Sequence, residues 1–488
     1  MANLAGEIPQ TLHDLNSWWA AGQVIRPKPR PYRRRGVERL QRALAQREPL
    51  IQVLRGPRQV GKTTALHQIV QEHLAAGAKP ADILLVRFDL PQLQQTNLLH
   101  ILDWYASEIR KRPLAEGAPP LILFDEIHKL EHWSANIKHM FDTFPVRLVL
   151  TGSSSVLVAK GQRDSLAGRA ITVDFPQFSF RETLECWRAS SAKHLPNPIS
   201  LGDLFADFPK CIRIFRDIHK QPAQRKLSWK RLLDKYYNRG GYPRLYEAEA
   251  SLADGWANYL TETVFERVLG VDIPDLFPVQ QPQLLRHIYR EVARRTGTEF
   301  SQGSLTKVCN DAGFRTKQPT VGRYLHYLSD AMLIREFRRY PLSKSRTARV
   351  PAKMTLTDLG VRNAIFRGAP SLWESDPRET GPLVETLVQT VLRGMGFQTH
   401  FFRDFETPGN RKSPVVEVDF VCETTDGTAI PIEVKFRQQL RPADSGGVRY
   451  FMQRFNAPVG IIVTRDTFEW DRKQRILYVP ILYFLLAF

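Results

Sequence analysis

Residues Leu54-Arg-Gly56-Pro-Arg58-Gln59-Val60-Gly61-Lys62-Thr63-Thr64 fit the pattern G-x-x-x-x-G-K-[ST], with the apolar run Leu50–Leu54 before them and a helical pattern to Ala75 after them. A phosphate-binding loop in that setting commits the chain to a strand, a tight glycine turn and a helix whose N-terminus faces an anion. Gly56 and Gly61 are expected to let the chain wrap a phosphate closely. The loop from Arg58 through Gln59, Val60, Gly61, Lys62, Thr63 and Thr64 then offers its N–H groups to the bound charge. Lys62 is placed to reach the β- and γ-phosphates of ATP, and the Thr63 hydroxyl to ligand Mg²⁺.

The surrounding pattern agrees with that commitment. Strands are expected at Leu50–Leu54, Ile83–Phe88, Leu121–Phe124, Arg147–Leu150 and Ala170–Asp174, with helical stretches between them. Such alternation indicates an α/β fold with a parallel sheet. Leu121-Ile-Leu-Phe-Asp125-Glu126 delivers Asp125 to a strand end, where it can hold the Mg²⁺ shell, while Glu126 can polarise the attacking water. Thr151-Gly-Ser153 ends the next strand, and Ser153 is chosen as the hydroxyl that senses the γ-phosphate.

With 488 residues the chain has room for about three domains. It divides at composition shifts into an N-terminal extension (1–35), a P-loop core (36–180), a helical lid or connector (181–275), a helix-turn-helix region (276–350) and a second α/β domain (351–488). The net charge of +19 implies an anionic partner, DNA before others. The run Arg26-Pro-Lys-Pro-Arg-Pro-Tyr-Arg-Arg-Arg35 is expected to be extended, with its basic side chains splayed outward as a phosphate grip or a solvated linker. Ser304–Asp311 and Thr320–Asp330 flank a turn, so Arg323 would approach a DNA duplex, with Arg338, Arg339, Lys344, Arg346 and Arg349 meeting phosphates. The longest apolar run, Val479 to Phe488, is half of the ~20 residues a membrane span needs, so no membrane partner is expected. Four scattered cysteines without a C-x-x-C pair fit a reducing cytoplasm.

Taken together, Arg55-Gly-Pro-Arg-Gln-Val-Gly-Lys-Thr63, Phe124-Asp-Glu-Ile127, Leu150-Thr-Gly-Ser153, Leu166-Ala-Gly-Arg169, Gly240-Gly-Tyr-Pro243, Glu417-Val-Asp-Phe420 and Ile432-Glu-Val-Lys435 resemble a prokaryotic group of AAA-family (AAA+) ATPases with a C-terminal domain of unknown function. The resemblance covers residues 36 to 470 and implies an AAA+ core with a helical lid, a winged-helix module and a PD-(D/E)xK nuclease-like domain. It implies a homo-oligomer, in the fullest case a hexameric ring, in which Arg169 is an arginine finger for the neighbouring subunit, and Arg244 a lid arginine on the nucleotide.

Glu433 and Lys435 share one face of a strand, and Asp419 lies on the preceding strand of the same hairpin, whose turn is Asp426-Gly427. Asp419 and Glu433 are therefore candidate Mg²⁺ ligands, with Lys435 assisting attack on a phosphodiester, and the resemblance implies the helical Glu385 as a further ligand. Val418 stands where that family has proline. A cross-strand ion pair on a DNA-binding platform remains the competing reading. The whole chain then reads as an ATPase that remodels or translocates DNA, branched or junction forms included. The alternative is an ATP-dependent signalling or defence switch on a protein partner, contacted by Trp18-Trp19 or the apolar C-terminus.

Overall fold

The computed structural model describes residues 6–25, 31–47, 50–153, 166–247, 251–341, 352–395, 398–405, 415–424 and 427–488. Two compact units divide the chain, Met1–Pro176 and Gln177–Phe488.

The first unit is built on five parallel strands: β1 (Ile51–Gly56), β2 (Ile83–Arg87), β3 (Leu121–Asp125), β4 (Arg147–Ser153) and β5 (Ala170–Asp174). Their spatial order is β2-β3-β4-β1-β5. β1, β2 and β3 are nearly continuous apolar runs because helices cover both faces of a parallel sheet. All five strands lie where the apolar pattern placed them, with no end shifted by more than three residues.

The N-terminal segment has a structural task that the sequence reading missed. β2 is an edge strand, so its outward N–H and C=O groups need partners. Asn16 supplies them: its side-chain amide donates to the Leu85 carbonyl at 2.9 Å and accepts from the Leu85 N–H at 2.7 Å. The indoles of Trp18 and Trp19 both donate to the Ile83 carbonyl, at 3.2 and 2.9 Å. Trp18 is fully buried. The expected partner-binding role of the Trp18-Trp19 pair is thereby corrected: these rings close the sheet edge.

The basic run is corrected too. Residues 26–30 lie outside the described residues, but Arg34 is buried and points inward. Its guanidinium lies 4.2 Å from the Phe175 ring centre and donates to the carbonyls of Val60 (3.1 Å) and Pro176 (2.9 Å).

The second unit opens with helices, including Phe208–His219 and Ala223–Arg239. Gly240-Gly241-Tyr242-Pro243 packs at its centre. The buried Asp358 carboxylate accepts from the N–H groups of Gly241 and Gly360, both at 2.8 Å. A Cβ on Gly240, which has φ +72°, would fall 2.1 Å from that carboxylate, and one on Gly241 would fall 2.1 Å from the Phe178 carbonyl oxygen. Side chains are excluded at both positions, so the motif is a docking point.

Three helices follow, Pro282–Arg294, Gln302–Asp311 and Gln318–Asp330, with β6 (Glu299–Phe300) after the first. β7 (Ile334–Phe337) and β8 (Ala352–Leu356) complete an antiparallel sheet in the order β6-β8-β7. The expected boundary at 350/351 therefore falls before a strand that belongs to the preceding sheet. A five-residue strand carries no mark of which sheet it will join.

The last sheet has six strands: β9 (Gln398–Phe405), β10 (Val415–Glu423), β11 (Ala429–Lys435), β12 (Gly460–Thr464), β13 (Glu469–Asp471) and β14 (Ile476–Pro480). Their order is β13-β14-β12-β11-β10-β9. β10 and β11 pair antiparallel as the hairpin reading expected, although Asp426 lies outside the described residues. The terminal helix Ile481–Ala487 is buried along its whole length. Leu486 and Ala487 give their carbonyls to the Arg181 guanidinium (2.6 Å) and the Ile199 N–H (2.8 Å). The apolar C-terminus is thus core, and the partner surface expected there is withdrawn. Among the described residues no helix is long and apolar enough to cross a membrane.

Burial pushes the Asp358 carboxyl up to about 6, against hydrogen bonds that favour its charged form. The folded chain then binds that proton more tightly than the unfolded chain. This contribution to stability is complete below the unfolded value and is lost as pH rises through about 6. Asp358→Asn should lower the thermal midpoint at neutral pH and flatten the decline between pH 4 and 6, which thermal unfolding across that range measures.

Candidate functional site

The loop between β1 and the helix Lys62–Ala75 owes its shape to two different constraints. Gly61 sits at φ +91°, which disfavours any side chain. Gly56 has no such φ, but a Cβ there would lie 2.1 Å from the Phe175 carbonyl oxygen. The expectation that both glycines permit close phosphate approach is extended: Gly56 is also required by the carbonyl of Phe175 just after β5, Gly61 by backbone conformation. Gln59 also takes a left-handed conformation, at φ +60°. Arg34 braces the loop through Val60. The Lys62 ammonium lies inside the loop, bonded to the carbonyls of Gly56 (2.8 Å) and Pro57 (2.9 Å).

Beneath the loop, β3 brings Asp125 to its C-terminal end, 1% exposed. The Thr63 hydroxyl donates to its Oδ2 at 2.6 Å. The Thr151 hydroxyl donates to its Oδ1 and accepts from the Glu126 N–H at 3.2 Å. Burial raises the Asp125 carboxyl above its usual range, Glu126 raises it further, and the two hydroxyls oppose the shift. Thr63 and Asp125 are the residues that would hold Mg²⁺, which in such sites neutralises charge on phosphate oxygens. Their direct contact fits that role.

Glu126, one residue on, is held at φ +53°, an uncommon conformation for glutamate, and its carboxylate lies 3.5 Å from His128 Nδ1. That bend turns it away from the strand direction of Asp125. Ser153, the expected sensor, ends β4 with its backbone in register with Gly56. The hydroxyl that spans Asp125 and Glu126 is that of Thr151, which sequence reasoning passed over. Parallel registry carries the signal: Phe124 pairs with Leu150, so the next residues, Asp125 and Thr151, lie level.

Arg169 precedes β5 at the opposite end of the sheet, where its carbonyl accepts from Ile51, the first residue of β1. Its guanidinium grips Asp142 at 2.6 and 3.0 Å. A strand length of about 17 Å separates it from the loop of its own chain. Thr64 lies in the first turn of the loop helix, and Arg58 is half-buried in the loop. Arg244 is exposed on a short helix of the second unit.

The second unit gathers the other carboxylates. Asp419 sits at a bulge in β10, between Val418 and Val421. Its Oδ2 accepts from the Val434 N–H at 2.9 Å, and its own N–H donates to Glu433 Oε2 at 3.1 Å. Glu433 Oε1 pairs with the Lys435 ammonium. Glu385 comes from the helix Pro377–Gly394. The sequence did not reveal Lys353 on β8, whose buried ammonium lies 2.7 Å from Glu385 Oε2 and 3.1 Å from Asp419 Oδ1. Burial alone would push this ammonium toward neutrality, but Asp419 and Glu385 hold it firmly protonated. Burial moves Glu385 up to about 7 and Glu433 up to about 8, each reinforced by Asp419.

Mg²⁺ does not fit this second site, because a lysine occupies the gap between Glu385 and Asp419. Among the described residues no group of three or more His, Cys, Asp or Glu side chains is arranged to hold a metal ion. The expected ligands Glu385 and Asp419 thus share a lysine, and Lys435 is engaged by Glu433.

Of the expected DNA contacts, Arg323 is exposed on the helix Gln318–Asp330, and the Arg338 side chain is 83% exposed. Arg339 turns inward, 3.6 Å from Asp404. The buried Asp404 is shared with Arg454, which pairs with its other oxygen. Lys344, Arg346 and Arg349 lie outside the described residues.

These features define the first unit as a P-loop ATPase core of AAA type. Residues 48–184 match the family model described as an AAA domain. Residues 230–371 and 380–484 match two domains of unknown function, DUF8612 and DUF4143. Two uncharacterized proteins of Methanocaldococcus jannaschii are similar. MJ1637 is 24% identical over 436 residues, covering 89% of this chain and 84% of that protein. MJ1544 is 22% identical over 350 residues, covering 71% and 67%. Among solved structures, the Walker-type ATPase PABY2304 of Pyrococcus abyssi aligns at 16% identity and a TM-score of 0.43, covering 70% of this chain and 99% of that one. The Aeropyrum pernix ORC1 protein in complex with DNA aligns at 15% and 0.28, covering 68% and 91%. At these TM-scores neither structure bears on what this chain binds.

Thr151→Val keeps the shape of the strand and removes the hydroxyl shared by Asp125 and Glu126. Nucleotide binding should persist while ATP turnover falls about a hundredfold, in line with loss of one preorganised donor. Ser153→Ala should cost less. Turnover assays with a parallel nucleotide-binding titration on the two variants decide between the hydroxyls.

Proposed function

We propose that this chain hydrolyses ATP at the β1 loop and couples hydrolysis to DNA held by its second unit. The observation that carries the ATPase reading is Asp125, buried under the loop with the Thr63 and Thr151 hydroxyls on its two oxygens. In this reading Lys62 and the loop N–H groups bind the phosphates. Glu126 orients the attacking water, and its raised φ supports a position reserved for chemistry. Glu126→Gln should therefore retain bound ATP and lower turnover by about a hundredfold or more.

Arg169 is read as a finger acting on a second copy of the chain, since its own phosphate loop is a strand length away. Arg169→Ala should keep binding and lose hydrolysis. Unchanged turnover in that variant would remove the finger and the strongest reason for an oligomer. Arg244 keeps its proposed lid role on the nucleotide.

The order helix, strand, helix, helix, strand, strand over 282–356 supports a winged helix. Its third helix buries Val321, Tyr324, Leu325 and Leu328 and exposes Arg323 and His326, as a helix that docks on a duplex requires. The net charge of +19 supports phosphate-backbone contact over base reading. The strands β9 to β14 support a nuclease-like fold retained as a DNA platform.

ATP turnover measured with single-stranded, duplex, forked and four-way-junction DNA tests the coupling. Stimulation by one form, weakened steeply by salt, is the expected result. Equal turnover on every form, with no DNA retained at moderate salt, would replace DNA by a protein partner.

A further inference from the structure

We infer that the carboxylate cluster of the second unit is a metal-free joint in which the Lys353 ammonium takes the place of a divalent cation. Its nitrogen bridges Glu385 on the helix Pro377–Gly394 and Asp419 on β10. Those are the two elements between which a nuclease-like fold would seat its metal.

The remaining oxygens of the cluster are largely committed as well. Asp419 Oδ2 is held by the Val434 N–H, Glu433 Oε2 by the Asp419 N–H, and Glu433 Oε1 by Lys435. A divalent ion such as Mg²⁺ or Ca²⁺ requires six or more oxygens in a defined shell. An ion entering while Lys353 stays in place would have to compete with these partners for the same oxygens.

Lys353 is delivered by rigid structure. β8 pairs with β6 on one side and β7 on the other, in register at Lys353 itself. The Leu356 N–H donates to Thr296 Oγ1 at 3.1 Å, and that hydroxyl meets Thr386 Oγ1 of the glutamate-bearing helix at 3.1 Å. The Gly297 N–H donates to the Met354 carbonyl at 3.1 Å. The lysine backbone is thus fixed on both sides of the side chain.

Charge placement gives the same answer. The Lys353 ammonium lies between Glu385 and Asp419, and a divalent ion beside it would meet a like charge in a buried site. Removing the Lys353 charge leaves those carboxylates without their cation, a place that a divalent ion fills. The site should therefore gain a metal when the lysine is deleted, and should hold none while it is present. In the native chain, DNA that reaches this unit would be bound without being cut here.

The test uses the full chain without nucleotide, so that its outcome is independent of the ATPase reading, and Mn²⁺ as the probe, followed by electron paramagnetic resonance. Wild type should bind no more Mn²⁺ than Asp419→Asn does. Lys353→Met should gain one Mn²⁺ per chain with affinity raised roughly a hundredfold, as added net ligand charge tunes cation sites over decades. Lys353→Met combined with Asp419→Asn should lose that gain. A wild-type chain that binds one Mn²⁺, or nicks plasmid DNA in Mn²⁺, in a manner that Asp419→Asn abolishes, overturns the inference. If Lys353→Met does not fold, the comparison of wild type with Asp419→Asn decides alone.

Discussion

Asp125 is almost wholly removed from water at the tip of β3, and a lone carboxylate there would cost several kcal/mol. Thr63 and Thr151 make its burial tolerable, and in doing so they lock three parts of the first unit together: the phosphate-loop helix, β3 and β4. The loop is held from below by this network and from the side by Arg34, whose guanidinium reaches the Val60 carbonyl. Anion binding and sheet packing therefore share the same atoms. A change that loosens either will be felt by the other.

The same requirement for partners organises the second unit. Asp358 is buried where it can accept from Gly241 and Gly360, and this contact explains a motif whose glycines leave no room for a Cβ. Lys353 is buried where Glu385 and Asp419 neutralise it. In both places a charged group from one stretch of chain is the reason that distant stretches meet. Removing one partner would strand the other, which is the costly way to alter a buried pair.

How much could be read in advance depended on the range of the interaction. β1, β2 and β3 were legible because burial on both faces forces nearly continuous apolar runs, and the loop was legible because phosphate binding needs a fixed local spacing. Trp18 and Trp19 read as a pair that could serve a partner because nothing local shows that β2 is an edge whose carbonyls need donors. The place of Thr151 was not legible because it depends on registry with β3. The acidic motif on β10 and β11 was found from its spacing, yet its meaning changed when a lysine from β8 arrived between its members.

By itself the sequence determined the elements whose physics is contained in a few neighbouring residues: the parallel-sheet pattern, the phosphate loop with Lys62 and Thr63, Asp125 at a strand end, and the shared face of Glu433 and Lys435. Tertiary structure alone decided which buried charges meet. It placed Thr151 between Asp125 and Glu126, turned Arg34 and Arg339 inward, and set the Lys353 ammonium where a metal was expected. The reason is electrostatic. A buried charge is stabilised by whichever opposite charge or dipole lies within about 4 Å, and that distance is fixed by the packing of strands and helices far apart along the chain.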